Sequence, residues 1–243
     1  MDHQYLREHS VAGPRQSSSS VCDDLTAMLN VFAAPAETVK RADRKFFWVW
    51  PFLIASAAGI FTELHLAPVA MRIMQTNPPL GFSTDQIQPV IDILGTVLKA
   101  GALLSPVLLA AKLFGLACVL VWTCKAMHIP IAFLAAFNLL AACSLVEALG
   151  TVANYLIIHY RVADLHSLDQ LQAPLGLDFF LSHGAGKELA ATLNFFSIFE
   201  VWYLIILAVG VSYLTGCTKR KAVAAITLVW LPSLAFAMLS ASF

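Results

Sequence analysis

Three ionisable side chains, Lys112, Glu147 and Glu200, lie inside otherwise apolar runs of this sequence. Away from water such a residue costs about 2.5–3.5 kcal/mol to insert, so it must find a partner or serve a function. Ser144, Glu147, Thr151 and Asn154 follow at i, i+3, i+7 and i+10, which is one face of a helix. Asn194, Ser197 and Glu200 form a shorter polar stripe on another segment. Lys112 and Glu147 can meet as an ion pair at similar depth on adjacent antiparallel helices, with Glu200 joined to Asn154 or Tyr203. Lys112 can instead snorkel toward an interface. The intramembrane cluster Lys112, Glu147, Asn154 and Glu200 therefore reads as a register-fixing network or as a polar cavity for a proton, an ion or a lipid headgroup. The structural reading is preferred, because a transport path needs more polar lining than these segments offer.

Other chemistry finds little support. The sequence has no His-Glu-x-x-His, phosphate-binding glycine loop or Gly-x-Ser-x-Gly, so no catalytic residues are assigned and the chain is expected not to be an enzyme. The seven histidines are scattered; His65 with Glu63, or His159 with His166, lacks a third ligand at metal spacing. Neither a metal nor a cofactor is expected. The five cysteines form no Cys-x-x-Cys and are odd in number, so they read as small packing residues. No basic patch interleaved with aromatics points to nucleic acid.

The elements that must carry these residues are set by composition. Of 243 residues, 59% are hydrophobic and 12% charged, with a mean hydropathy of +0.75. Soluble domains average roughly 25% charged residues, so this chain cannot cover itself in water. Lipid is its solvent. The expected fold is all-α: a polytopic membrane helix bundle of five spans, near 46–66, 97–123, 131–158, 193–214 and 223–243. The cluster Phe46-Phe47-Trp48-Val49-Trp50 suits an interface. Residues 71–89 read as a turn-rich loop with a helical lead-in to the second span. Spans two and three, and spans four and five, form hairpins. Residues 161–188 are the longest connection, with an expected interfacial helix at Leu177–Leu181. Pro51, Pro106 and Pro232 suggest kinks. Gly101 with Ser105, Ala111 with Gly115, and Gly210 are expected helix contacts.

Lysine and arginine set the orientation. With the N-terminus inside, the cytoplasmic segments hold Arg7, Arg15, Lys40, Arg41, Arg44, Lys45, Lys125, Lys219, Arg220 and Lys221, against Arg72, Lys99, Arg161 and Lys187 outside. The C-terminus then lies outside. Residues 1–20 form an expected disordered tail without a cleavable leader. Residues 21–45 form a lead-in, with Leu25, Met28, Leu29 and Phe32 at helical spacing before a basic stretch. It lies on the inner leaflet or packs against the spans. Residues 46–243 are the membrane domain. Lys40, Arg41, Arg44, Lys45, Lys219, Arg220 and Lys221 are candidate membrane-surface groups.

Two segments carry a family likeness. One is Leu29-Asn30-Val31-Phe32-Ala33-Ala34-Pro35-Ala36-Glu37-Thr38-Val39, before Phe46-Phe47-Trp48-Val49-Trp50-Pro51; the other is Leu193-Asn194-Phe195-Phe196-Ser197-Ile198-Phe199-Glu200-Val201-Trp202, with Leu207-Ala208-Val209-Gly210 and Thr218-Lys219-Arg220-Lys221-Ala222. They resemble the prokaryotic branch of the Yip domain family, the Ypt/Rab-interacting membrane proteins, over most of residues 25–243. The resemblance implies a multi-pass protein without known catalysis. Eukaryotic members act in vesicle trafficking and bind Rab GTPases. This sequence lacks their aspartate-leucine-tyrosine-glycine-proline signature and paired tyrosine-glycine motifs, so Rab binding is not carried over and no functional residue transfers. For bacterial relatives the resemblance implies association with other membrane complexes such as exporters. The expected function is an accessory or interaction protein of the bacterial cytoplasmic membrane. Its expected partners are the lipid bilayer and other membrane proteins or further copies of itself. The alternative is a small transporter or channel subunit built on the polar cluster.

Overall fold

A helix in hydrocarbon must satisfy every backbone polar group within itself, and the long elements of this chain do so. The computed structural model describes residues 30–32, 46–78, 84–173, 175–177, 189, 193 and 196–241. Five long helices follow in order: α1 Val49–Thr76, α2 Thr84–Ala126, α3 Phe133–Tyr160, α4 Ile198–Thr215 and α5 Lys219–Ala241. Two 3-10 turns, Val162–Asp164 and Leu168–Leu171, lie after α3. Among the described residues there is no strand. Helices α1, α3, α4 and residues 87–126 of α2 are long and apolar enough to cross a membrane.

Helix α3 is the hub. From Ala135 to Val146 every residue except Phe137 is buried, on all sides of the helix. A helix apolar all round belongs in an interior, and its run of Ala141, Ala142, Cys143 and Ser144 lets neighbours come close. It packs on α1, α2 and α4, while α5 bridges α4 and α2. Helices α2, α3, α4 and α5 thus close a ring, and α1 lies outside it in the angle between α2 and α3. The ring members expose large apolar side chains outward, among them Leu103, Val107, Leu108 and Trp122 of α2. Outward greasiness suits lipid.

Several boundaries differ from the sequence expectation. Helix α1 continues through Pro68 to Thr76, where Leu66 was the expected end and Met71 the start of a loop. The extension is held by tertiary contact: Ile73 is buried with Ile158 and Leu165, flanked by Leu66, Val69 and Leu171. The Arg72 guanidinium also donates to Val162 O. Helix α2 begins at Thr84 rather than Val97 and holds 43 residues, roughly 64 Å at 1.5 Å per residue. That is about twice a hydrocarbon core of roughly 30 Å, so α1 and α2 rise together beyond it. Helix α4 starts at Ile198, not Leu193, because Ser197 is extended and its Oγ accepts from Glu200 N at 3.0 Å. Helix α5 starts at Lys219, before the expected Val223.

The prolines do not break their helices. Pro51 sits in the first turn of α1, where its missing N–H has no partner to lose. Pro106 deprives Ala102 O of a donor, and Ser105 Oγ supplies one at 2.9 Å. The α2–α3 turn closes with His128 in the left-handed region (φ 58°) and Ile129 N donating to Cys124 O at 2.8 Å. The α4–α5 turn uses Gly216 at φ 66°.

The expected glycine contacts need revision. A Cβ added at Gly101 or Gly115 would meet nothing within 4 Å, so these are not contact positions within the chain. The close approaches are at Gly95, against Met71 Sδ, at Gly150, against Phe199, and at Gly210, against Leu139. Residues 1–20, the basic stretch Lys40, Arg41, Arg44 and Lys45, Cys22, Asn194 and the expected helix at Leu177–Leu181 lie wholly or mostly outside the described residues. Of the lead-in, Val31 is buried and the Phe32 ring meets that of Trp202 edge-on at 5.5 Å, so this part packs against the spans.

Gly210→Val would drive a side chain into Leu139, whose Cδ2 lies 2.8 Å from the added Cβ position and which is itself only 1% exposed. Overpacking of this kind costs about 1–3 kcal/mol. Unfolding in mixed micelles should show that loss, and Leu139→Ala in the same chain should recover part of it. Wild-type stability in Gly210→Val alone would show that α3 and α4 do not approach as described.

Candidate functional site

Lys112 of α2 and Glu147 of α3 are joined by the hairpin that the His128 turn closes. Lys112 Nζ donates to Glu147 Oε1 at 2.9 Å and to Oε2 at 2.8 Å. Both oxygens of one carboxylate thus share one ammonium. The side chains are 49% and 27% exposed, so the pair borders open space rather than solid packing.

Glu200 is on the first turn of α4. Ser197-Ile198-Phe199-Glu200 has capping-box spacing, yet the carboxylate does not turn back to the helix start. Its Oε1 accepts from Trp230 Nε1 of α5 at 2.8 Å. The partner of Glu200 is therefore Trp230, not the expected Asn154 or Tyr203. Trp230 was missed in the sequence, although an indole N–H in an apolar run always calls for an acceptor.

Asn154 serves a separate purpose. Its Oδ1 accepts from Ala173 N at 2.7 Å and its Nδ2 donates to Leu171 O at 3.4 Å, fastening the connection after α3. The rest of the α3 polar stripe also turns away from the cluster. Ser144 Oγ donates to Ala141 O, and Thr151 Oγ1 to Glu147 O, both within the helix. The structure thus brings Lys112, Glu147 and Glu200 to one place and leaves Asn154 out.

That place is a cavity of about 290 Å³ inside the helix ring. Every ring helix contributes: Lys112, Leu116 and Leu120 from α2, Leu140 and Glu147 from α3, Glu200, Tyr203, Leu204 and Leu207 from α4, Ile226, Val229 and Trp230 from α5. The antiparallel order sorts these by depth. Lys112, Glu147, Glu200 and Trp230 gather at one end, and leucine, isoleucine and valine line the other. A second groove of about 290 Å³ lies between α4 and α5 and shares Glu200, Leu204, Ile226 and Trp230 with the cavity.

The remaining candidates pack or face solvent. His65 Nδ1 donates to Phe61 O at 2.7 Å, and its ring lies 4.1 Å from that of Phe61 and 5.9 Å from that of Tyr155. His159 stacks near Tyr155 at 5.8 Å. Among the described residues no group of three His, Cys, Asp or Glu side chains could hold a metal ion. Cys118, Cys124, Cys143 and Cys217 are free thiols. Lys219, Arg220 and Lys221 are exposed at the start of α5. Cations there oppose the helix dipole, so local helix energetics did not select them.

Lys112→Met or Glu147→Gln alone should lower stability by about 2 kcal/mol, because each strands one polar partner. Replacing both, as Lys112→Met with Glu147→Gln, should cost less than the sum of the singles. Unfolding of the four proteins in mixed micelles gives this directly; strictly additive losses would mean the two groups do not interact.

No family model matches the sequence and no solved structure matches the fold. The chain is similar to Membrane protein YknW of Bacillus subtilis (strain 168), at 25% identity over 209 residues, covering 84% of this chain and 85% of that protein. Likeness along nearly the whole of both chains joins with the four membrane-length apolar helices. The chain is a multi-pass helical membrane protein.

Proposed function

We propose that this is a non-enzymatic accessory protein of the Yip domain type, which binds a transmembrane helix of another membrane protein in the bacterial cytoplasmic membrane. One observation carries the reading: a stripe along α2 that the described residues leave uncovered. Gly101, Leu104, Leu108, Ala111, Gly115, Cys118 and Trp122 recur at alternating steps of three and four, and none is buried. That spacing is the seam of paired helices, and its small residues admit a close neighbour. The added-Cβ positions of Gly101 and Gly115 meet nothing within the chain.

The topology belongs to the same proposal. Helix α5 has 23 residues, and 222–241 contain no charge, which makes it the fifth span. Lys125 and the Lys219-Arg220-Lys221 cluster fall at the hairpin end of the bundle, and Arg72, Lys99 and Arg161 at the other. Retention of cations in the cytoplasm then sets the N-terminus inside and the C-terminus outside.

A transporter or channel is the second reading, favoured by the cavity. Against it, the Lys112 and Glu147 charges neutralise each other, and the cavity ends on an apolar floor.

The test is Gly115→Phe, whose Cβ meets nothing within 4 Å among the described residues and which should leave the stability of the chain unchanged. Gentle-detergent purification should lose the membrane protein that co-purifies with wild type. Unchanged co-purification would overturn the α2 surface. Solute flux in vesicles that vanishes in Lys112→Met would favour transport instead.

A further inference from the structure

The cavity and the groove beside it have matched sizes, about 290 Å³ each, on either side of one thin wall. That wall consists of Glu200, Leu204, Ile226 and Trp230. Its polar part is the hydrogen bond from Trp230 Nε1 to Glu200 Oε1, at 2.8 Å. Below this bar, away from the start of α4, both spaces are lined mostly by aliphatic side chains, with Tyr203 in the cavity and Thr227 in the groove. Each is at the small end of ligand sites, which run roughly 300–1,000 Å³, and suits a hydrocarbon chain rather than a folded solute.

The charges specify the head. Lys112 and Glu147 cancel as a pair, so the Glu200 carboxyl is the acidic group at the polar end that no cation among the described residues engages. Trp230 engages Oε1 of that carboxylate, and Oε2 has no partner among the described residues. Glu200 stands three residues after the Ser197 cap, near the end of an 18-residue span of roughly 27 Å, where headgroups begin. Lys112, half exposed toward the cavity, retains a third N–H to offer a phosphate.

We propose that the α4–α5 seam holds one two-chain phospholipid with an ammonium headgroup, such as phosphatidylethanolamine. One acyl chain lies in the ring cavity and the other in the outer groove. The glycerol straddles the Trp230–Glu200 bar, the ammonium meets Glu200 Oε2 and the phosphate faces Lys112. This site is distinct from the α2 stripe, since no residue of the stripe lines the cavity or the groove.

Native mass spectrometry of the full chain in detergent, with phosphatidylethanolamine or phosphatidylglycerol of equal chain length, tests it. Wild type should retain one phosphatidylethanolamine with a preference of about tenfold, the worth of one charged hydrogen bond. Equal retention of both lipids, or of neither, overturns the assignment. Val229→Phe fills the cavity and Ala208→Phe the groove, and each should reduce retention; full retention in either would also overturn it. Because a bulky residue could displace α5, Glu200→Gln provides the shape-conserving check. It should erase the headgroup preference, and a preference that survives contradicts the proposed geometry.

Discussion

Hydrocarbon supplies no hydrogen-bond partner, and this chain is organised around meeting that demand from within. Where Pro106 frees a carbonyl, the hydroxyl of Ser105 takes its place. Where a carboxylate enters the bundle on α3, an ammonium on α2 meets both its oxygens. Where an indole enters on α5, a carboxylate on α4 accepts its hydrogen bond. These side-chain bonds tie α2 to α3 and α4 to α5, while Asn154 binds the connection that follows α3. The ion pair, the indole–carboxylate bond and Asn154 thereby act as fastenings between elements, while Ser105, Ser144 and Thr151 bond within their own helices.

Packing supplies the remaining order. Lipid tails are as apolar as leucine, so helices gain little by hiding leucine from them and associate through close contact instead. Helix α3, with alanine, cysteine and serine around its middle, lets its neighbours approach and so becomes the centre. Gly210 of α4 receives Leu139, and Gly150 of α3 receives Phe199. The ring of α2 to α5 encloses a cavity of about 290 Å³, with Lys112, Glu147, Glu200 and Trp230 at its polar end.

Much of this was legible in the residues. Hydropathy located the long helices, and the shared depth of Lys112 and Glu147 foretold their meeting. What escaped depended on contacts between distant segments. Pro68 and Arg72 read as the edge of a loop, yet the Ile73, Ile158 and Leu165 cluster and Val162 O hold them in helix. Asn154 belonged to the right face of α3 but two turns beyond Glu147, so it reached the following connection instead of Glu200. Gly101 and Gly115 have the spacing of a contact seam, and nothing in spacing tells whether the seam is filled from inside the chain. Trp230 drew no reading from the sequence, because its acceptor is supplied by a distant segment, α4.

The claim on which all of this rests is that α3 is enclosed while its neighbours face lipid. Cys118 of α2 is exposed and Cys143 of α3 buried, and both lie on the turn side of the Lys112–Glu147 pair. A carbene precursor dissolved in the bilayer of reconstituted vesicles, with insertion sites mapped along the chain, reads this difference directly. Heavy labelling of α2 at Leu103, Val107, Leu108 and Trp122, with residues 135–146 of α3 unlabelled, is the result predicted. Labelling of 135–146 as heavy as that of α2 would contradict it.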